Sequence, residues 1–193
     1  EPDALDFIDA VADRRKLAET ESLLIAALDR GKTPPELDGL VRSTLYDYQW
    51  RGVVFAACRA RVILGDDMGL GKTAQAIACV NVLWHAKRIR RGLLIVPASL
   101  KPQWDREWSQ FSNLTIRVIE GTPAERLNAY EATREGLFII NYEQLLRDLP
   151  AVRAWAPDMI VLDEAQRIKN WATKTALSVK LLDPAYRLVL TGT

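Results

Sequence analysis

Arg61-Val62-Ile63-Leu64-Gly65-Asp66-Asp67-Met68-Gly69-Leu70-Gly71-Lys72-Thr73, followed by Ala74-Gln75-Ala76-Ile77, is the stretch on which the fold turns. Four apolar or long residues of strand length run into a glycine-rich turn, and the turn runs into residues that favour helix. In such a turn the glycines let backbone N–H groups fold around phosphate oxygens, and the helix N-terminus adds positive partial charge. Gly69, Gly71 and the backbone of Met68 and Leu70 would line the cradle. Lys72 would reach the β- and γ-phosphates, and Thr73 would offer its hydroxyl to Mg²⁺. The strict pattern asks for Gly where Asp66 stands, so the match is imperfect, but a strand before and a helix after supply its context.

Outward from this turn the same alternation continues. Leu93–Val96, Thr115–Ile119, Leu137–Ile140, Met159–Leu162 and Arg187–Leu190 are short runs rich in Val, Ile and Leu without strict polar alternation. That is how strands covered on both faces of a parallel sheet read. Thr73–Ala86, Leu100–Phe111, Ala124–Arg134 and Ala172–Leu182 read as helices between them. The expectation is a doubly wound α/β domain whose ligands bind beyond the carboxyl ends of its strands. Before it, Leu5, Ile8, Val11, Leu24 and Leu28 recur at helical spacing and Lys32-Thr33-Pro34-Pro35 breaks the chain. Residues 1–35 are therefore expected to form a helical appendage of one or two amphipathic helices, and residues 36–193 the main domain.

A second candidate site follows Met159–Leu162, where Asp163-Glu164-Ala165-Gln166 sets two carboxylates at a strand's end. Such a pair can divide the work, Asp163 holding Mg²⁺ and Glu164 deprotonating an attacking water.

Composition is compatible with this and narrows the alternatives. With 193 residues, 49% hydrophobic and 26% charged, the chain has globular proportions and room for one sizeable core. Its 26 Lys and Arg nearly cancel 25 Asp and Glu, so contact with nucleic acid would depend on local clusters. Lys87-Arg88-Ile89-Arg90-Arg91 reads instead as a solvated helix end. Two cysteines, Cys58 and Cys79, and one histidine, His85, supply neither a disulfide framework nor a zinc site. Reduced core thiols imply an intracellular protein, nuclear in a eukaryote and in the cytoplasm or nucleoid of a bacterium. No apolar run is long enough to span a membrane. A start at Glu1 and a stop at Thr193 directly after an apolar run read as a piece of a longer chain.

Together, Asp66-Asp67-Met68-Gly69-Leu70-Gly71-Lys72-Thr73, Asp163-Glu164-Ala165-Gln166-Arg167-Ile168-Lys169-Asn170 and Leu190-Thr191-Gly192-Thr193 resemble the first RecA-like lobe of SWI/SNF-type ATPases, within helicase superfamily two. The resemblance covers about Leu45 to Thr193. It implies a RecA-like lobe with a parallel sheet between helices, binding ATP and Mg²⁺, with Lys72, Asp163 and Glu164 carrying the chemistry. It further implies double-stranded DNA as partner, a second RecA-like lobe absent from this chain, and a DNA-bound protein as a further substrate.

Lesser motifs extend the likeness. Leu45-Tyr46-Asp47-Tyr48-Gln49 is similar to the family's adenine-reading segment, which makes Gln49 the candidate for the base edge. Val96-Pro97-Ala98-Ser99-Leu100 with Trp104, and Ile140-Asn141-Tyr142-Glu143, are similar to its DNA-contacting segments. Ser99, Lys101 and Asn141 would then donate to phosphate oxygens. Trp104 and Trp108, four apart, are expected to pack in the core or between lobes. Thr191-Gly192-Thr193 resembles the segment coupling hydrolysis to lobe movement, on a strand expected between those leading to Lys72 and Asp163. Gln166 stands where many relatives carry His, which bears on how it would communicate with that segment. The rival expectations are a small-molecule phosphotransferase and a non-catalytic, nucleotide-responsive DNA-binding or interaction module.

Overall fold

The computed structural model describes residues 4–30, 34, 37–65, 71–168 and 173–192. Six strands form one sheet: β1 (Arg61–Leu64), β2 (Arg91–Val96), β3 (Arg117–Val118), β4 (Gly136–Asn141), β5 (Met159–Leu162) and β6 (Tyr186–Leu190). Their order is β1-β6-β5-β2-β4-β3, and every pairing is parallel. The helices are α1 (Ala4–Asp29), α2 (Asp47–Cys58), α3 (Lys72–His85), α4 (Lys101–Phe111), α5 (Pro123–Ala132), α6 (Tyr142–Trp155) and α7 (Lys174–Lys180).

Because side chains alternate along a strand, each central strand feeds two cores. Leu94 and Val96 of β2, Ile139 of β4 and Val161 of β5 face the layer of α1–α4. Leu93, Ile95, Ile140 and Ile160 face the layer of α5–α7. All eight are at most 1% exposed, and burying each aliphatic side chain contributes roughly 1.5–3 kcal/mol. This double burial is why these strands read as unbroken apolar runs.

Several expectations need correcting at the edges. Only Arg117–Val118 of the expected Thr115–Ile119 forms a strand. Residues 142–155, left without an element in the sequence reading, form the 14-residue α6, capped by Asn141 and carrying Pro150 inside it. Residues 47–58 form α2. The basic cluster is not a helix end: α3 stops at His85, Lys87 takes φ 57, Ile89 is buried and Arg91 opens β2.

At the amino-terminal side a single helix, α1, brings Leu28 into the first core at 1% exposure, with Leu24 and Ile25 partly buried against it. Cys58 and Cys79 are free thiols, and burial pushes that of Cys79 up to about 12.

Candidate nucleotide site

The parallel arrangement points the carboxyl ends of β1, β6 and β5 to one side, with β6 between the other two. An open cleft of about 590 Å³ lies at that side, lined by Gly71, Lys72, Thr73, Asp163, Glu164 and Gly192 among others, with residues of α4 forming one wall. Residues separated by more than ninety positions in sequence therefore share one cavity. Met68, Gly69, Leu70 and Thr193 lie outside the described residues.

Gly71 caps α3 in the left-handed region, at φ 73, and Gln75 N–H donates to its carbonyl at 3.0 Å. A Cβ there would meet Nε2 of Gln49, whose amide would have to shift. Glycine is favoured by the backbone conformation first, with the neighbouring amide adding to the preference. Gln49 is buried at 7% exposure, and its Oε1 accepts from Tyr46 N–H at 2.9 Å, which caps α2. Lys72 and Thr73 open α3, where the helix dipole favours an anion.

Asp163 directly follows β5 and continues its ladder, its N–H donating to Ile95 O at 3.0 Å. Its carboxylate is gripped on both oxygens: Trp104 Nε1 donates to Oδ2 at 2.7 Å and Glu164 N–H donates to Oδ1 at 2.8 Å. Tyr142 donates its hydroxyl to the carbonyl of Asp163 at 2.7 Å. Burial pushes the Asp163 carboxyl above its ordinary value, opposed by the Trp104 and Glu164 hydrogen bonds, with the nearby carboxylates of Glu164 and Glu107 adding to the rise.

Glu164 sits in the left-handed region at φ 51, unusual for a residue other than glycine and costly without surrounding support. Gln166 donates from Nε2 to Glu164 Oε2, while Oε1 of Gln166 is buried without a hydrogen-bond partner. The amide of Gln166 is thus turned to Glu164. Thr191 extends β6 by donating its N–H to Leu64 O at 3.3 Å, and Gly192 reaches the cleft.

The other sequence candidates separate. Ser99 is exposed, in the 3-10 turn Ala98–Leu100 ahead of α4. Asn141 is half-buried, and its Oδ1 accepts from Gln144 N–H at 2.7 Å as the cap of α6. Lys101 is 7% exposed, donates to Ile119 O and Gln144 Oε1, both at 3.1 Å, and pairs with Glu120 at 3.5 Å. Its ammonium ties α4 to the loop after β3 and to α6. Trp104 and Trp108 are buried at 2% and 1% as expected, but the bond from Trp104 to Asp163 was not anticipated. The two residues are 59 positions apart and no local pattern announces their meeting.

The donor set suits Mg²⁺. Thr73 and Asp163 bring hard oxygen ligands into the cleft, and among the described residues no group of three or more His, Cys, Asp or Glu forms a self-contained cage. Mg²⁺ characteristically takes one or two carboxylates and completes its shell with water and phosphate oxygens.

A loop-to-helix cradle and an acidic pair at the carboxyl ends of a parallel sheet, with a third strand between them, define a RecA-like lobe. The chain belongs to the SNF2-related domain family, whose pattern it matches over residues 48–193. It is 34% identical over 163 residues to the DNA excision repair protein ERCC-6-like of Danio rerio, covering 77% of this chain and 11% of that protein. To the ISWI chromatin-remodeling complex ATPase ISW2 of Saccharomyces cerevisiae it is 34% identical over 159 residues, covering 77% of this chain and 14% of that protein. Among solved structures it resembles the Sulfolobus solfataricus SWI2/SNF2 ATPase core in complex with dsDNA, with a TM-score of 0.70 and 32% identity over 79% of this chain and 33% of that one. The chain therefore spans a small part of its full-length relatives and about a third of the solved core.

Proposed function

We propose that residues 36–193 are the ATP-binding first lobe of a double-stranded-DNA-dependent ATPase, with residues 1–35 as a helical addition. The parent protein hydrolyses ATP to ADP and phosphate and uses the energy to move along duplex DNA, shifting a bound protein or DNA structure. It acts inside the cell. The observation that carries this reading is the single cleft shared by Lys72, Thr73, Asp163 and Glu164.

In this reading Lys72 neutralises β- and γ-phosphate oxygens, and the N–H groups opening α3 complete the cradle. Thr73 and Asp163 would hold Mg²⁺, which would supply neutralisation of charge on the phosphates. Glu164 orients the attacking water and accepts its proton, with Gln166 steadying the carboxylate. Gln49 reads the adenine edge. Ser99 and Asn141 meet the DNA backbone, while Thr191, Gly192 and Thr193 pass the state of the site towards a second lobe.

The test is ATP hydrolysis by the longer protein that contains both lobes, without DNA, with single strands and with duplex. Strong stimulation by duplex, lost in Glu164→Gln, is expected. Hydrolysis indifferent to DNA would overturn the translocase reading. The single lobe, lacking the arginine residues that the family keeps on the second, is expected to bind Mg·ATP weakly and turn it over poorly.

A further inference from the structure

We propose that Trp104 is a positioning residue for Mg²⁺ binding, its indole N–H setting the orientation of the Asp163 carboxylate. The inference rests on the reading of Asp163 as a metal ligand.

The terminal torsion of an aspartate is broad, so a carboxylate at a strand end has no intrinsic single orientation. Here two donors remove that freedom, Trp104 Nε1 on Oδ2 at 2.7 Å and Glu164 N–H on Oδ1 at 2.8 Å. Of the two, only Trp104 is a side chain, and it is 2% exposed, locked in the core between α4 and the sheet. The indole N–H can only donate, so the geometry has one polarity. An ionised carboxylate has about four acceptor positions, and two hydrogen bonds leave the remainder for a ligand in the cleft.

Trp108, one turn further along α4, is the internal control. It is equally buried, yet its N–H donates to the backbone carbonyl of Leu114 at 2.7 Å, which holds the helix end. The two indoles share packing and differ in what they orient. Tyr142 adds a third anchor from the opposite layer, through the Asp163 carbonyl. Partners that orient a metal ligand in this way typically account for 10–100-fold in metal affinity.

The experiment is the Mg²⁺ dependence of fluorescent ATP-analogue binding to this chain. Trp104→Phe keeps the ring and removes the donor. It is expected to raise the Mg²⁺ concentration for half-maximal enhancement at least about tenfold while leaving Mg²⁺-free nucleotide binding unchanged. Trp108→Phe is expected to leave that midpoint in place. A folded Trp104→Phe chain with the midpoint of the unmodified protein overturns the inference alone. No Mg²⁺-dependent binding by the unmodified chain overturns the reading of the site and the inference with it. Should Trp104→Phe not fold, the indole N–H resonance of Trp104 in the ¹⁵N-labelled unmodified chain decides: it is expected to shift when Mg²⁺ joins bound ATP, and a resonance indifferent to the metal overturns the proposal.

Discussion

Charged groups at the amino-terminal end of the sheet and the two carboxylates of the cleft are handled in different ways. At the amino-terminal end they are matched with each other: Arg61 with Asp183 at 3.2 Å, Arg90 with Glu135 at 3.4 Å, Arg91 with Asp158 at 3.8 Å. Asp158 also accepts the backbone N–H groups of Arg90 and Arg91 at 2.8 and 2.9 Å, tying β5 to β2. At the carboxyl end Asp163 and Glu164 are held by neutral donors, an indole, a backbone amide and a glutamine. A neutral donor fixes a carboxylate without cancelling its charge. Asp158 is thus held by a guanidinium as well as by amides, whereas the hydrogen bonds described on the Asp163 and Glu164 carboxylates come from neutral groups.

This contrast can be broken in order of expected effect. Glu164→Gln should reduce hydrolysis by the two-lobed protein roughly 10²–10⁴-fold with nucleotide binding retained, as for loss of a general base; steady-state rates and binding titrations separate the two. Arg126→Ala attacks a pair that serves structure away from the cleft. Arg126 and Asp148 are joined by two 2.7 Å hydrogen bonds, with side chains only 7% and 8% exposed. Breaking such a pair leaves a buried charge and should cost about 3–5 kcal/mol in denaturant unfolding, whereas replacing both partners with apolar residues should cost less. Gly71→Ala places a Cβ at φ 73 and against Gln49, and should cost on the order of 1–3 kcal/mol together with a measurable loss of ATP-analogue affinity. Arg61→Ala removes an exposed pair and should change stability by at most about 1 kcal/mol. A large loss there would show that charge pairing at the amino-terminal end matters more than exposure allows.

How much of this was legible in the sequence depended on how local each signal was. Lys72, Thr73, Asp163 and Glu164 were readable because each sits in a short motif beside its strand, and double burial gave β2, β4 and β5 their unbroken apolar runs. Residues 142–155 were not legible as a helix because Pro150 interrupts the helical pattern; the fold uses Asn141 as a helix cap and accommodates the proline. The burial of Lys101 was not legible because lysine usually marks the surface, and the carbonyl and amide that capture it come from Ile119 and Gln144. The bond between Trp104 and Asp163 exists only once α4 lies over the sheet. Tertiary partners, not composition, decided each of these cases.

The rims of the sheet carry a practical consequence. On one side β3 is only two residues long, a blunt border that offers little to pair with. On the other, β1 is paired with β6 alone among the described residues, and Ile63 stands 68% exposed on it. A strand with an unpaired border and an outward isoleucine is a template for edge-to-edge association. Handled by itself, the lobe should therefore self-associate as concentration rises, and Ile63→Lys should suppress this in light scattering without altering the fold.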